Sequence, residues 1–135
     1  MVLKSLVTVV LASIHVGFSP MPSDTDLRAA FCLGALKDVQ PIPLESFPEQ
    51  FKDDVGRLNN QVAVSRERLQ AYLLPKLEYL DPAALAVAAE QGRRAAQRAE
   101  AQAGQCLNKP NGEITECMRD NLQVSDCREA KFLPF

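Results

Sequence analysis

Residues 81–106 read DPAALAVAAEQGRRAAQRAEAQAGQC, and this stretch decides the fold class. Asp81 followed by Pro82 is a strong signal for the start of a helix. The carboxylate of an N-cap residue accepts hydrogen bonds from main-chain amides of the first turn, which have no partner within the helix. A proline in that turn costs no hydrogen bond, because the amide hydrogen that it lacks would have no helical acceptor. The alanine-rich run then predicts one long helix to about Cys106. Small side chains form its inner stripe, which lets a second helix approach closely; they are Leu85, Ala88, Gly92, Ala95, Ala99 and Ala103.

A second amphipathic stretch lies before it in the chain. Ser46 and Glu49 have the spacing of a capping box, and apolar residues then follow in steps of four and three, with Ser65 as the one break in the seam. This pattern predicts a helix that ends at Pro75 and packs against the alanine-rich helix as an antiparallel hairpin. The seam consists of Phe51, Val55, Leu58, Val62, Leu69 and Tyr72.

Shorter helices are predicted on both sides of this hairpin. Ser23 and Asp26 approximate a capping box that starts a first helix, which runs to about Asp38, and the prolines that follow require an extended connection. After a turn near Asn111, apolar residues lie on one face of a short fourth helix; they are Ile114, Cys117, Met118 and Leu122. The sequence therefore predicts an all-α fold, a small up-and-down helical bundle built on a long antiparallel helical hairpin and stapled by disulfides.

Residues 1–20 have the profile of a signal peptide that is cleaved or possibly retained, and residues 21–135 are expected to form a single helical domain. The segment has one early charge, Lys4, and then an apolar run too short to span a bilayer comfortably. Small residues at Gly17 and Ser19 suit a peptidase, but Pro20 does not. Two alternatives stay open: an uncleaved anchor, or a translation start at Met21 that would give a leaderless cytosolic protein.

Composition narrows the classes of function. The chain has 135 residues, of which 47% are apolar and 24% charged, so it can bury a core and is not expected to be disordered. Its net charge of −2 offers no general attraction for nucleic acid or anionic lipid. His15, the only histidine, lies in the leader, so the domain itself has no imidazole for acid–base catalysis or metal binding.

Four cysteines follow the leader: Cys32, Cys106, Cys117 and Cys127. An even number in an exported chain predicts two disulfides. If each connection folds the chain back on itself through turns near Ile42, Glu78 and Asn111, all four sulfurs gather at one end of the bundle. The favoured pairing is then Cys32 with Cys106 and Cys117 with Cys127, and a Cys106–Cys117 pair is nearly as plausible.

The segment from Cys106 to Ala130 resembles the cysteine-rich repeat of the Golgi apparatus glycoprotein family in the order of its residues, although its cysteine intervals are shorter. We interpret this likeness as convergent spacing in a helical hairpin and transfer no functional residue from it. The matching positions are Cys106, Pro110, Gly112, Cys117, Ser125, Cys127 and Ala130.

No residue pattern indicates an enzyme. The adjacent acids Asp53 and Asp54 are expected to face solvent, and a four-cysteine metal site lacks the usual close C-x-x-C pairs. The mixed charges around Arg93, Arg94 and Arg98 favour a solvated face over a nucleic-acid site. The apolar C-terminal residues Phe132, Leu133, Pro134 and Phe135 are expected to pack on the bundle.

We therefore expect a periplasmic or secreted protein without cofactor, metal or nucleic-acid ligand. It would serve as a protein–protein interaction or structural module, with a protein partner or a second copy bound through its helix faces. Membrane contact is expected only if the leader is uncleaved. The alternative function is a thiol redox or cysteine-based metal-binding protein.

Overall fold

A computed structural model describes residues 19–106, 108–110, 113 and 117–134. Within these residues the regular structure is helical, with no strand, and the predicted all-α fold is confirmed. The α-helices are α1 (Asp24–Leu36), α2 (Lys52–Leu73), α3 (Pro82–Cys106) and α4 (Arg119–Glu129). Short 3-10 turns occur at Leu44–Ser46, Glu49–Phe51 and Leu74–Lys76. Most of the predicted leader, and Ile114 of the predicted fourth helix, lie outside the described residues.

Two of the predicted helix starts are confirmed. At α1, Asp26 N donates to Ser23 Oγ at 3.1 Å and Ser23 N donates to Asp26 Oδ2 at 2.9 Å, which completes the capping box. At α3, Asp81 Oδ1 accepts from Ala83 N at 3.2 Å.

The capping box predicted at Ser46 and Glu49 is wrong. Ser46 belongs to the preceding 3-10 turn, and the chain enters α2 through the turn Glu49–Phe51. The N-cap position of that turn is Pro48, whose side chain has no acceptor to offer, so no side-chain cap forms.

The direction of each helix follows from a few long-range hydrogen bonds. The side chain of Asn59 pairs with both main-chain polar groups of Ile42, at 2.8 and 2.9 Å, and Lys76 Nζ lies 2.9 Å from Asp26 Oδ1. Later residues of α1 and its connection thus meet earlier residues of α2, which makes these two helices antiparallel. Asp81 N donates to Pro20 O at 3.1 Å, so α1 and α3 start at the same end and run parallel.

The first helix, α1, holds the bundle together. It packs closely on α3, and it also contacts α2 and α4, whereas α2 and α3 do not pack on each other within the described residues. The predicted up-and-down order of the helices agrees with this arrangement. The predicted long hairpin of α2 on α3 is not confirmed, because the small-residue stripe of α3 is covered by α1.

Glycine permits the close approach of α1 and α3. A Cβ at Gly34 would overlap the carbonyl group of Ala89, and a Cβ at Gly92 would overlap the carbonyl group of Phe31. The predicted inner stripe of α3 is buried at this contact, at Leu85, Ala88, Gly92, Ala95 and Ala99. The sequence pattern therefore identified the packing face of α3, while its partner is α1 instead of α2.

The last helix, α4, and the residues after it close the core. Ser65, which interrupts the apolar seam of α2, is 2% exposed, and its hydroxyl donates to the carbonyl oxygen of Arg128. Ser65 therefore continues the buried face of α2 with its polar atom satisfied. As expected, Leu133 is buried and Phe132 packs against the core, whereas Pro134 is exposed and Phe135 lies outside the described residues.

Candidate functional site

An open groove with a volume of about 730 Å³ lies between α1 and α3 and is bordered by α4. Apolar side chains contributed by α1 and α3 dominate its lining: Leu27, Phe31, Ala84, Val87 and Ala88. On α3 the lining extends from Asp81 to Gln91, which corresponds to about 15 Å at the helical rise of 1.5 Å per residue. The groove can therefore accept about three turns of a helix or a short extended segment. We call it the α1–α3 groove.

The groove is held open by a rigid frame. At one end the main chains of Pro20 and Asp81 are hydrogen bonded, and further along α1 the backbone passes against α3 at Gly34. The disulfide between Cys32 and Cys127 lies in the lining and ties α1 to α4. The shape of the α1–α3 groove is thus fixed by backbone contacts and one covalent bond, without dependence on flexible side chains.

Val87 is the most exposed apolar side chain in the groove lining, with 58% of its surface accessible. Leu27 and Phe31, on the facing helix, are only partly buried. Apolar surface that is concave and open to solvent is characteristic of a binding site. The α1–α3 groove is therefore the candidate functional site.

Charged groups border the groove. A guanidinium nitrogen of Arg28 lies 3.7 Å from Asp126 Oδ2, and its guanidinium carbon is 4.4 Å from the centre of the Phe132 ring. Asp81 lies at the start of α3, where it serves as the N-cap. The border thus has two carboxylates and one guanidinium, and its excess charge is negative.

The four cysteines form two separate pairs. Cys32 pairs with Cys127 at a Cα–Cα distance of 5.0 Å, and Cys106 pairs with Cys117 at 5.6 Å. The favoured pairing of Cys32 with Cys106 and Cys117 with Cys127 is wrong. The alternative, which joins Cys106 to Cys117, agrees with the structure.

The separation of the pairs has a geometric cause. Cys32 lies beside Ala88 in the groove, and Cys106 follows Ala88 by 18 positions on α3, which is about 27 Å along a helix. The predicted gathering of all four sulfurs at one end is therefore wrong. The sequence prediction places the first turn of the chain near Ile42. The hydrogen bonds between Ile42 and Asn59 show that the segment at Ile42 lies beside α2, so the chain turns back only after this residue.

Asp26, Tyr72 and Lys76 form a polar cluster where α1 begins and α2 ends. Tyr72 Oη donates to Asp26 Oδ1 at 2.8 Å, and Lys76 Nζ donates to both of these oxygens at 2.9 Å. Burial raises the pKa of the Asp26 carboxyl, but hydrogen bonds from Lys76, the Ser23 main chain, Tyr72 and the Ser23 hydroxyl together lower it to about 2. Hydrogen bonds to Tyr72 and Asp26 raise the pKa of Lys76.

This cluster is a structural connection between helices. The Asp26 carboxylate is buried, and each of its oxygens accepts a hydrogen bond from another group of the protein. A carboxylate engaged in this way has no open position for a substrate. We therefore assign the cluster to stability.

Several other charged residues also have partners within the chain. Arg93 and Arg94 both bind Glu90, and the pKa of that carboxyl is lowered to about 2 chiefly by its hydrogen bond to Arg93. Arg98 pairs with Asp120 through two hydrogen bonds of 3.1 and 3.2 Å. Two further acids, Asp53 and Asp54, are exposed, as expected, and Asp54 pairs with Arg57.

Among the described residues no group of three or more His, Cys, Asp or Glu side chains is placed to hold a metal ion. In the same part of the chain no helix has both the length and the apolar character needed to cross a membrane. The two cysteine pairs are compatible with an oxidising compartment such as the periplasm or the extracellular space.

Comparison with known proteins gives no relative from which a function could be inferred. No family model matches the chain, and no curated protein or solved structure matches it either. The likeness of residues 106–130 to a cysteine-rich repeat is accordingly not supported by a family match.

Apolar residues that line the groove can be identified from the sequence, but the groove itself cannot. Leu27 and Phe31 are apolar residues near helical spacing in the first helix, and both line the groove between α1 and α3. Val87 is large and apolar but lies off the small-residue stripe of its helix, and this was the one available signal of an apolar surface outside the core.

Proposed function

We propose that this chain is an exported, disulfide-stapled helical module that binds a protein partner through the α1–α3 groove and has no catalytic activity of its own. The observation that carries this proposal is the groove itself: an open, preformed apolar concavity of about 730 Å³ with Val87 exposed in it. A preformed surface binds with little ordering cost, which favours recognition.

The shape of the groove favours a polypeptide over a small molecule. An amphipathic helix can lay its apolar face into a trough of this length, with anchor residues at helical spacing. The carboxylates of Asp81 and Asp126 favour a partner segment that has a basic residue beside its apolar face. We therefore propose an amphipathic helix of a partner protein as the occupant.

Site-specific photo-crosslinking in the producing cell tests this proposal. A photoreactive amino acid at position 87 should give an adduct with one discrete protein, and the same probe at Val64, which is exposed on α2 outside the groove, should not. Placing an arginine at Ala84, in the groove lining, should abolish the adduct at 87. Equal adducts at both positions, or adducts only with a second copy of this chain, would contradict the proposal.

Export is tested separately by intact mass spectrometry of the protein from its natural compartment. The expected mass lacks the leader and is four hydrogens below that of the fully reduced chain. Four thiols that can all be alkylated would exclude export followed by oxidation, whereas a full-length mass that is four hydrogens below the reduced value would indicate a retained leader.

Partial exposure of Cys117 supports a second candidate function, a thiol redox protein. Cys106 and Cys127 are buried, whereas Cys117 is partly accessible and lines a polar pocket. The charged residues of this pocket give an excess of one positive charge; they are Arg98, Lys109, Arg119, Glu113 and Asp120. Basic neighbours stabilise a thiolate and favour exchange with a dithiol. Resistance of both disulfides to mild dithiol reductant would exclude this candidate, whereas selective opening of Cys106–Cys117 would favour it.

A further inference from the structure

A smaller pocket of about 150 Å³ lies between chain segment 39–42 and α2, and Arg128 completes its lining. Most of its surface is apolar and comes from Val39, Pro41, Ile42, Leu58, Val62 and Ala63. Its polar residues are Gln40, Asn59, Arg66 and Arg128. It is separate from the α1–α3 groove, with which it shares no lining residue.

The pocket is preformed because both ends of segment 39–42 are fastened to α2. The Asn59 side chain accepts from Ile42 N at 2.8 Å and donates to Ile42 O at 2.9 Å. Arg66 Nη2 donates to Val39 O at 3.0 Å and also to Leu36 O, the last residue of α1. These bonds hold the segment beside α2, with the pocket in between.

The charge in this pocket is unbalanced. Two guanidinium groups line it, and no carboxylate does. Within the described residues, Arg66 donates only to carbonyl oxygens, and neither Arg66 nor Arg128 forms an ion pair. The Nε atom of Arg66 is buried and has no hydrogen-bond acceptor in the described part of the chain. A buried donor without an acceptor is costly. The Arg66 side chain that carries this donor lines the pocket beside Arg128, so the pocket has two guanidinium groups and no anionic partner for them among the described residues.

We infer that this pocket binds a small carboxylic acid in its ionised form, with a body of about six or seven carbons. A carboxylate satisfies guanidinium donors with matched geometry, and Arg66 and Arg128 are the available donors. The apolar body packs against Ile42, Leu58 and Val62. A cavity of about 150 Å³ holds a molecule the size of benzene, which sets the size of that body. This inference does not depend on the proposed function.

Hexanoate is the probe, and it is titrated into the oxidised protein while amide resonances are followed by NMR. Saturable shifts are expected at residues 39–42 and 59–66. Hexanol, which is uncharged and has an apolar chain one carbon longer, should still bind at least about tenfold more weakly, since it cannot form the charge-assisted hydrogen bonds that a carboxylate makes with a guanidinium group.

Two variants locate the site. Arg128→Gln should weaken hexanoate binding about tenfold, and Ala63→Phe, which fills the pocket from an exposed position, should abolish it. Arg94→Gln removes an exposed guanidinium outside the pocket and should bind as the wild type does.

Three results would overturn the inference: no saturable shift at any accessible hexanoate concentration, equal affinity for hexanol, or undiminished binding in both pocket variants. Thermal unfolding of each variant, compared with the wild type, distinguishes loss of the pocket from loss of the fold.

Discussion

Gly34 of α1 lies against the carbonyl group of Ala89 of α3, so closely that the two helices touch backbone to backbone. The reciprocal contact, Gly92 against Phe31, occurs just beyond it. This crossing positions both walls of the α1–α3 groove and buries most of the small-residue stripe of α3.

Gly34→Ala should destabilise the protein by about 2 to 3 kcal/mol or more, because the new methyl group would overlap backbone atoms that cannot rotate away. The matched control is Gly56→Ala on α2, where a Cβ meets no atom within 4 Å. Alanine there should stabilise the helix by about 0.5 to 1 kcal/mol. Urea unfolding of both variants checks this, and equal effects of the two substitutions would contradict the crossing.

Loss of the Cys32–Cys127 disulfide should cost more stability than loss of the other disulfide. In the chain-entropy model, sequence separations of 95 and 11 correspond to about 5 and about 3 kcal/mol respectively. Paired Cys→Ser variants, compared by thermal unfolding under non-reducing conditions, measure the difference. Peptide mapping of the unreduced protein should recover the same two pairs, and a Cys32–Cys106 peptide would refute the arrangement.

Stability should fall in acid as the Asp26 carboxylate becomes protonated. Its pKa is about 2 in the folded protein and 3.8 in the absence of such contacts, so the stabilisation is complete above about pH 4 and is lost as pH falls toward 2. The difference corresponds to about 2 kcal/mol. Asp26→Asn should be less stable at neutral pH, and it should lose part of the acid dependence seen in urea unfolding between pH 2 and 4.

The Lys76 contribution should disappear at the opposite end of the pH range. Its pKa is raised in the folded state by Tyr72 and Asp26, so the stabilisation is fully present below 10.5, the ordinary pKa of a lysine, and is lost as pH rises above it. Unfolding measured between pH 9 and 12 should show this decline in the wild type. The decline should be smaller in Lys76→Met, and an unchanged slope in that variant would contradict the role given to Lys76.

Ser65→Ala should cost about 1 to 2 kcal/mol, because it leaves the carbonyl oxygen of Arg128 without a buried hydroxyl donor. Ser125→Ala, at an exposed position on α4, is the control and should change the free energy of unfolding by less than about 0.5 kcal/mol. If both variants unfold at the same urea concentration, the hydrogen bond between α2 and α4 is not a stabilising contact.

Local signals in the sequence predicted well the elements that they control. The Ser23–Asp26 box and the Asp81–Pro82 start act within one helical turn, so their residues suffice to place α1 and α3. The buried stripe of α3 also follows from its own periodicity. By contrast, which helix covers that stripe depends on the path of residues 37–51, and this path is fixed by contacts such as Ile42 with Asn59 that lie 17 positions apart.

The α1–α3 groove and the small pocket could not be predicted for the same reason. The α1–α3 groove combines Phe31 with Val87, and the small pocket combines Ile42 with Arg128, so each site exists only once distant segments are placed. The predicted cysteine pairing was wrong because it also depended on the path of the chain between α1 and α2. Because the sequence prediction placed the first turn too early in the chain, it placed Cys32 several helical turns away from its true level relative to Cys106.

Because Cys32 is joined to Cys127, 95 positions later, the central helix receives its covalent partner only after Cys106 and Cys117 have already been synthesised. A chain that emerges N-terminus first into an oxidant therefore exposes Cys32 to two incorrect sulfurs before the correct one arrives. Efficient maturation then calls for delayed oxidation or for a disulfide isomerase, and cells that lack the isomerase should accumulate scrambled forms.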